Sequence, residues 1–530
     1  VDGVRIDHID GLADPAGYLA RLTGQLGDVP VWVEKILSGD ETLPDWPVAG
    51  TTGYVAARAF ARVVTNRGGL QKVDALYRDR TGATRQFRDV LEKAKQQILT
   101  HDLSAELWAL HGQVSNIAAN DPVGAEFGPE TLRRAIIDFI IAFPRYRTYM
   151  TADHVAPEDA QLIEDTAAQA AERSDSPQAI AFLARILTAS GPKAARLRIR
   201  FQQVTGAAIA KSQEDTAFYR DTRLLSANEV GGEPDEATLS PTAFHGEMQR
   251  RLQQMPQGLT LTSSHDTKRS EDARMRIAAI THAPAAFAEF HAACAAEAGP
   301  EVGADLVWYL AQTLLAMHPA SAETDDPRAD LERRLTGHVE KALREAKRVT
   351  FWAAPDAAVE DAARAYAGRL AERFTTLPDL VTPIVERGAA LSLVQVALKL
   401  TVPGIPDIYQ GCEMGSYLLT DPDNRAPVDF DRLNGLLDGS DTACSAFDRR
   451  KFDLTHCLLS LRQSHPALFA EGAYEPLSAP DGGLAYQRIY GGLTLSVSLS
   501  LTGAPAPSPK GDRVVWSSDE GPIAIALSGG

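Results

Sequence analysis

The apolar positions change period several times along the chain, and each change marks an element. Residues 3–7 (GVRID) are short and β-prone, and the Asp14-Pro15 pair that follows offers a helix N-cap and a proline for the first helical position. Leu19, Leu22 and Leu26 then recur at helical spacing, and residues 29–34 (VPVWVE) have the composition of a second strand. Strand, helix and strand in so short a span predict a parallel βαβ unit. From about 51 to 256 the pattern is mostly helical and charged, with a β-like break at 206–211 that predicts one core strand among inserted helices. Residues 258–264 (GLTLTSS) alternate as a strand does and run into His265-Asp266. Helices dominate again from 268 to about 400, where Leu331, Leu335, Val339 and Leu343 mark a buried stripe. Residues 401–413 (TVPGIPDIYQGCE) have the form of a strand end followed by a Pro/Gly-shaped loop. After about 469, short strands such as 493–501 and 513–516 predict a small β-sandwich, with 503–511 (GAPAPSPKG) a loop.

Composition narrows the function classes. At 530 residues, 44% apolar and 23% charged, the chain is long enough for a large buried core and has none of the bias of a disordered or fibrous protein. A formal charge of −17 repels a phosphate backbone, and no basic patch offsets it, so nucleic acid is not an expected partner. The longest apolar stretches, 135–143 and 306–317, are short and interrupted by polar residues, which predicts buried helices rather than a membrane span. Cys294, Cys412, Cys444 and Cys457 are too sparse and irregular for a disulfide scaffold or a metal knuckle, which favours a reducing, cytoplasmic setting.

The candidate chemistry lies in acidic strand ends. In GVRID the strand period puts Gly3, Arg5 and Asp7 on one face with Asp7 at the C-terminal end, where Arg5 would keep it ionised, as a nucleophilic carboxylate requires. Glu34 closes the next strand at the same end. Neighbouring strands lie roughly 4.8 Å apart, so the two carboxyls could stand about 5–5.5 Å from each other, the separation of a retaining glycosidase. Flanked by Trp32, Val33 and Ile36, Glu34 would tend to hold its proton and serve as general acid and base. His265-Asp266 could add an imidazole and a third carboxylate. Each segment taken alone also fits an ordinary ion pair or loop turn. Several acidic strand ends together fit the C-terminal rim of an α/β barrel.

The run GVRIDHIDGL, with VEKIL, WPVAGTTGY, EDTAFYR, NEVGG, SSHDTKRSEDAR, KALREAK, PGIPDIYQGCE and DPDNR, resembles the maltooligosyltrehalose synthase family of the α-amylase clan (glycoside hydrolase family 13), in order from residue 1 to roughly 429. The resemblance implies Asp7 as nucleophile, Glu34 as acid and base and Asp266 as transition-state stabiliser, with Arg5 and His265 beside them. It places His8, Asp10, Lys35, Lys268 and Arg269 in the same motifs, as candidates for holding the donor or the released glucose. Tyr219 and Tyr409 are candidates for stacking on sugar rings or for aromatic packing. Val55 and Ala426 depart from the family pattern, where an acidic residue and a second Arg are usual.

The implied fold class is α/β, a partial (β/α)8 TIM barrel starting near strand 4, with large helical insertions and a C-terminal β-sandwich domain. Its expected division is 1–50 for barrel strands 4 and 5, 51–256 for a helical insertion with a barrel strand near 206–211, and 257–267 for barrel strand 7. Residues 268–390 form a second insertion, 391–468 the end of the barrel and 469–530 the β domain. The first three barrel strands are expected upstream of Val1. The implied reaction turns the reducing-end α-1,4 bond of a maltooligosaccharide into an α,α-1,1 bond, giving maltooligosyltrehalose for trehalose biosynthesis. It calls for no cofactor and no metal, and no HExxH-type ligand cluster is present. A maltooligosyltrehalose trehalohydrolase is the implied metabolic companion. The competing readings are an α-1,4-glucan hydrolase of the α-amylase type and a non-catalytic glucan-binding fragment.

Overall fold

Two short parallel strand pairs lead toward most of the residues singled out above. A computed structural model describes residues 1–318, 326–441, 444–503, 505–507, 511–517 and 521–529. The chain divides into two compact units, one of residues 1–48 with 85–221, the other of residues 49–84 with 222–530. The expected insertion at 51–256 is therefore not one body: its middle belongs with the N-terminal residues and its two ends with the rest of the chain.

In the first unit, β1 (Val4–Ile6) pairs in parallel with β2 (Val31–Val33), Val4 opposite Val31 and Ile6 opposite Val33. The helix between them, Pro15–Leu26, starts where the sequence signals it: Asp14 accepts the Gly17 N–H at 2.9 Å and Pro15 needs no partner for the N–H it lacks. Ile9, Leu19, Val31, Val33 and Trp46 bury themselves together beneath the pair, each aliphatic side chain contributing about 1.5–3 kcal/mol relative to exposure. Six helices follow, from Phe87–Thr100 to Pro192–Ile209, four of them opening on a proline. They share a core in which Ile136, Phe139, Ile140, Phe182, Leu183, Leu197 and Phe201 are buried. The strand expected at 206–211 is helix: Pro192–Ile209 runs on into a π-helical turn, Ala210–Glu214. Its sequence, GAAIAK, is rich in alanine, whose helix propensity outweighs the short apolar run.

In the second unit, β3 (Leu259–Thr260) pairs in parallel with β4 (Ile405–Pro406). Regular strand structure stops there, short of the expected 258–264, and residues 261–264 continue as buried irregular chain. Every residue of the helix Glu271–Ala279 is buried, and it packs against the helix Thr382–Thr401. By length and composition one helical stretch among the described residues, Asp379–Thr401, could cross a membrane, with mean hydropathy 1.3; it is 56% buried, and its Lys399 pairs with Glu271 at 3.1 Å as in a protein core. Helix Pro327–Ala346 buries Leu331, Leu335 and Val339 of the expected stripe, with Leu343 half-buried.

The C-terminal region holds one antiparallel sheet of five strands: β5 (Ala473–Leu477), β6 (Gly483–Tyr490), β7 (Leu493–Ser500), β8 (Arg513–Ser517) and β9 (Ile523–Ser528), ordered β5-β6-β7-β9-β8. A sandwich was the expectation. Among the described residues the facing layer is helical instead: Tyr486 shares a 2.6 Å hydrogen bond with Thr401, and Arg488 donates to the Thr401 carbonyl at 3.1 Å. Of the 503–511 loop, 504 and 508–510 lie outside the described residues.

Candidate active site

The register of β1 on β2 puts Asp7 and Glu34 side by side, each the residue after its strand's last member. The ladder extends one step further, the Glu34 N–H donating to the Ile6 carbonyl at 2.8 Å. In return the Glu34 carboxylate accepts the His8 N–H at 2.7 Å, so it reaches the peptide that follows Asp7. Asp7 is paired with Arg5 at 2.8 Å, and its side chain is 59% exposed. His8 adopts a left-handed backbone conformation, φ 49°, which turns the chain sharply away from the strand. Arg5, Asp7, His8 and Glu34 thus form one cluster at one strand end.

Asp10 and Lys35, expected to touch sugar, are buried. The Lys35 ammonium is fully buried, 2.8 Å from Glu41 and 3.6 Å from Asp10, and it donates to the Ile36 carbonyl at 2.7 Å. It also lies over the rings of Tyr146 and Tyr149. Tyr149 donates to Asp10, and Tyr146 to Glu214. Burial, and then the charge of Glu214, pushes the Tyr146 phenol well above its ordinary range, with Asp10 and Glu34 adding to the effect; it remains a donor. Both charged groups are buried, with aromatic residues more than a hundred positions away in contact with them. Tyr219 ends a 3-10 turn, Ala217–Tyr219, in the same unit and is half-buried.

The second unit carries the other candidates. His265 and Asp266 are half-exposed, with the His265 Nε2 at 3.2 Å from the Asp266 carboxylate. The chain leading to them is set by the GTTGY motif. Gly53 has φ +103°, and a Cβ there would lie 2.3 Å from the Leu259 carbonyl oxygen, so the backbone packs directly on β3. The next residue, Tyr54, hydrogen-bonds Ser264 at 2.9 Å. Gly53→Ala is expected to destabilise the protein by about 1–3 kcal/mol, seen as a lower urea midpoint at unchanged slope. Arg269, another expected sugar contact, is buried, donating to the Leu225 carbonyl and to Tyr309, both at 3.4 Å. Lys268 is half-buried and its N–H is held by Glu229. Tyr409 donates to the Asn424 carbonyl at 3.0 Å, and burial, then Cys412, raises its phenol above the usual range. All four cysteines are free thiols. Among the described residues no three His, Cys, Asp or Glu side chains gather as metal ligands would.

Two residues that the sequence offered only inside longer motifs organise this region. Glu229, from NEVGG, accepts the N–H groups of Lys268 and Arg269, and Asn424, from DPDNR, donates to carbonyls on both sides of Asp266. Burial of a carboxylate and an amide in loops is a signal that appears only in three dimensions.

No protein-family model matches the chain. A protein of Mycobacterium tuberculosis named maltooligosyl trehalose synthase is 36% identical over 488 residues, covering 90% of this chain and 60% of its own length. The chain thus spans about three fifths of the curated relatives it matches. Among solved structures, maltooligosyltrehalose synthase from Arthrobacter ramosus superimposes with TM-score 0.85 at 28% identity, covering all of this chain and 70% of that one. A hypothetical maltooligosyl trehalose synthase from Sulfolobus tokodaii gives TM-score 0.78 at 27% identity, covering 99% and 69%. The family that the motifs resemble is thus the one whose members the chain matches in sequence and in fold, the maltooligosyltrehalose synthases.

Proposed function

We propose that the chain carries the catalytic groups of an intramolecular glucosyl transferase acting on maltooligosaccharides. The observation that supports it most directly is the register of β1 on β2, which sets Asp7, held by Arg5, next to Glu34 at the ends of adjacent parallel strands. Glu34 protonates the glycosidic oxygen of the reducing-end glucose while Asp7 attacks the anomeric carbon; the C–O bond breaks and a glycosyl ester forms on Asp7. The freed glucose then presents its own anomeric hydroxyl, Glu34 takes that proton, and the new bond to the sugar displaces Asp7. Two inversions give retention, and the product is an isomer of the substrate with an α,α-1,1 linkage. Asp266 is the third carboxylate, stabilising positive charge on the sugar, with His265 beside it. Arg5, His8, Lys268, Tyr219 and Tyr409 are the proposed sugar contacts; Asp10, Lys35 and Arg269 are buried supports.

The same reading makes the two parallel pairs staves of a (β/α)8 barrel, β1 and β2 as strands 4 and 5, β3 and β4 as strands 7 and 8, with helical insertions between them. A trehalohydrolase acting on the product and a cytoplasmic setting complete the proposal. The names and folds of the matched relatives favour isomerisation over hydrolysis, since a plain amylase would use the same three carboxylates and let water attack. Incubating maltopentaose with the full-length protein is expected to yield a non-reducing product of unchanged mass. Release mainly of shorter reducing sugars would assign a hydrolase instead.

A further inference from the structure

The segment presenting Asp266 has no regular structure of its own: β3 ends at Thr260 and the next helix begins at Glu271. Its backbone is nevertheless gripped from two sides. On the N–H side the buried Glu229 carboxylate accepts from Lys268 at 2.7 Å with one oxygen and from Arg269 at 3.2 Å with the other. The guanidinium of Arg274, itself 1% exposed, lies 3.4 Å from the second oxygen and donates to the Arg269 carbonyl at 3.1 Å, tying Glu229 to the helix that follows. On the carbonyl side the Asn424 amide donates to His265 at 3.0 Å and Thr267 at 3.2 Å, with Ser264 at 3.4 Å. Asn424 is 2% exposed, and Tyr409 secures its own peptide.

We infer that Glu229 and Asn424 are positioning residues for Asp266, one fixing the peptide N–H groups after it and the other the carbonyls on either side of it. Both grip backbone rather than a reacting group, and the inference rests on the proposed role of Asp266. Charge-assisted bonds to backbone N–H groups are short and strong, and a carboxylate with two acceptor oxygens suits two adjacent donors. A glutamine at 229 keeps the shape and offers one acceptor, turning an NH2 group toward the other peptide donor. A half-exposed carboxylate on irregular chain then loses the constraint that aims it.

The test uses the full-length protein. Glu229→Gln is expected to lower kcat on maltopentaose by on the order of 10–100-fold with KM unchanged, because the lost interaction is one that tightens in the transition state. Its melting transition should shift by only a few degrees. A residue serving the fold alone would lower the melting transition and leave kcat per folded molecule intact; that result overturns the inference, as does wild-type kcat. Should Glu229→Gln fail to fold, Asn424→Ala answers the same question from the carbonyl side with the same two outcomes. Asp266→Asn is measured in parallel. If it turns over normally, the reading of the site has failed; if it is inert while Glu229→Gln is unimpaired, only the positioning role has.

Discussion

Asp7→Asn is expected to abolish turnover while leaving the fold and sugar binding in place. The substitution keeps the size of the side chain but removes the charge and the oxygen that would form the glycosyl ester, so kcat should fall by roughly 10⁴–10⁶-fold, the scale of losing a covalent nucleophile. Stability should barely change. Asp7 is 59% exposed and its partner Arg5 33% exposed, and ion pairs so open to water contribute about 0–1 kcal/mol. Asparagine can still accept a hydrogen bond from Arg5. Rapid-quench measurement of product from maltopentaose, alongside a thermal melt and titration with the same sugar, checks all three statements. Turnover within a few-fold of the parent would remove Asp7 from the mechanism. A variant that binds but never turns over, beside a parent that also only binds, would instead favour a binding module.

What could be read from the linear sequence was what depends on near neighbours. Strand parity in GVRID and VPVWVE placed Asp7 and Glu34 at matching ends, and Asp14-Pro15 gave the start of the intervening helix, because a cap and a fixed φ are local properties. The run at 206–211 failed for a related reason: six residues of mixed small and apolar type carry no period, and the helix already under way from Pro192 decides their state. Burial of charge was not legible at all. Lys35 and Asp10 sit in the same motifs as the catalytic candidates, yet what surrounds them is Glu41, Tyr146 and Tyr149; Arg269 is covered by Tyr309 and Leu225 in the same way. The alternation of the last strands announced a sheet, but not that a helix rather than a second sheet would face it. Nor could spacing show residues 85–221 folding back onto the first 48.

The largest stability effect is expected from Lys451→Met. The Lys451 ammonium is fully buried, 2.6 Å from both Glu271 and Asp272, and donates to the Met414 carbonyl at 2.8 Å. Glu271 is shared with Lys399 at 3.1 Å, and the Ser416 N–H donates to Asp272 at 2.7 Å. Methionine keeps much of the stem packing, so its loss of stability reports the charge: two buried carboxylates are left with one ammonium, a cost of about 3–5 kcal/mol. The pH dependence distinguishes this from a packing defect. Burial alone would raise Glu271, but Lys399 and Lys451 overcome it and hold the carboxyl well below the usual range. In the parent that contribution is present above the unfolded pKa of about 4.3 and is lost as pH falls through the depressed folded value. Asp272, which burial raises despite Lys451, works with the opposite sign. Without Lys451 the Asp272 carboxyl is lifted further above its unfolded value, and its contribution then favours the fold below about pH 4 and is lost as pH rises through the raised folded value. Urea midpoints should therefore differ most near neutral pH and converge in acid. A gap that stays constant across that range would assign the loss to packing, and the absence of any gap would mean that the two carboxylates are satisfied without Lys451.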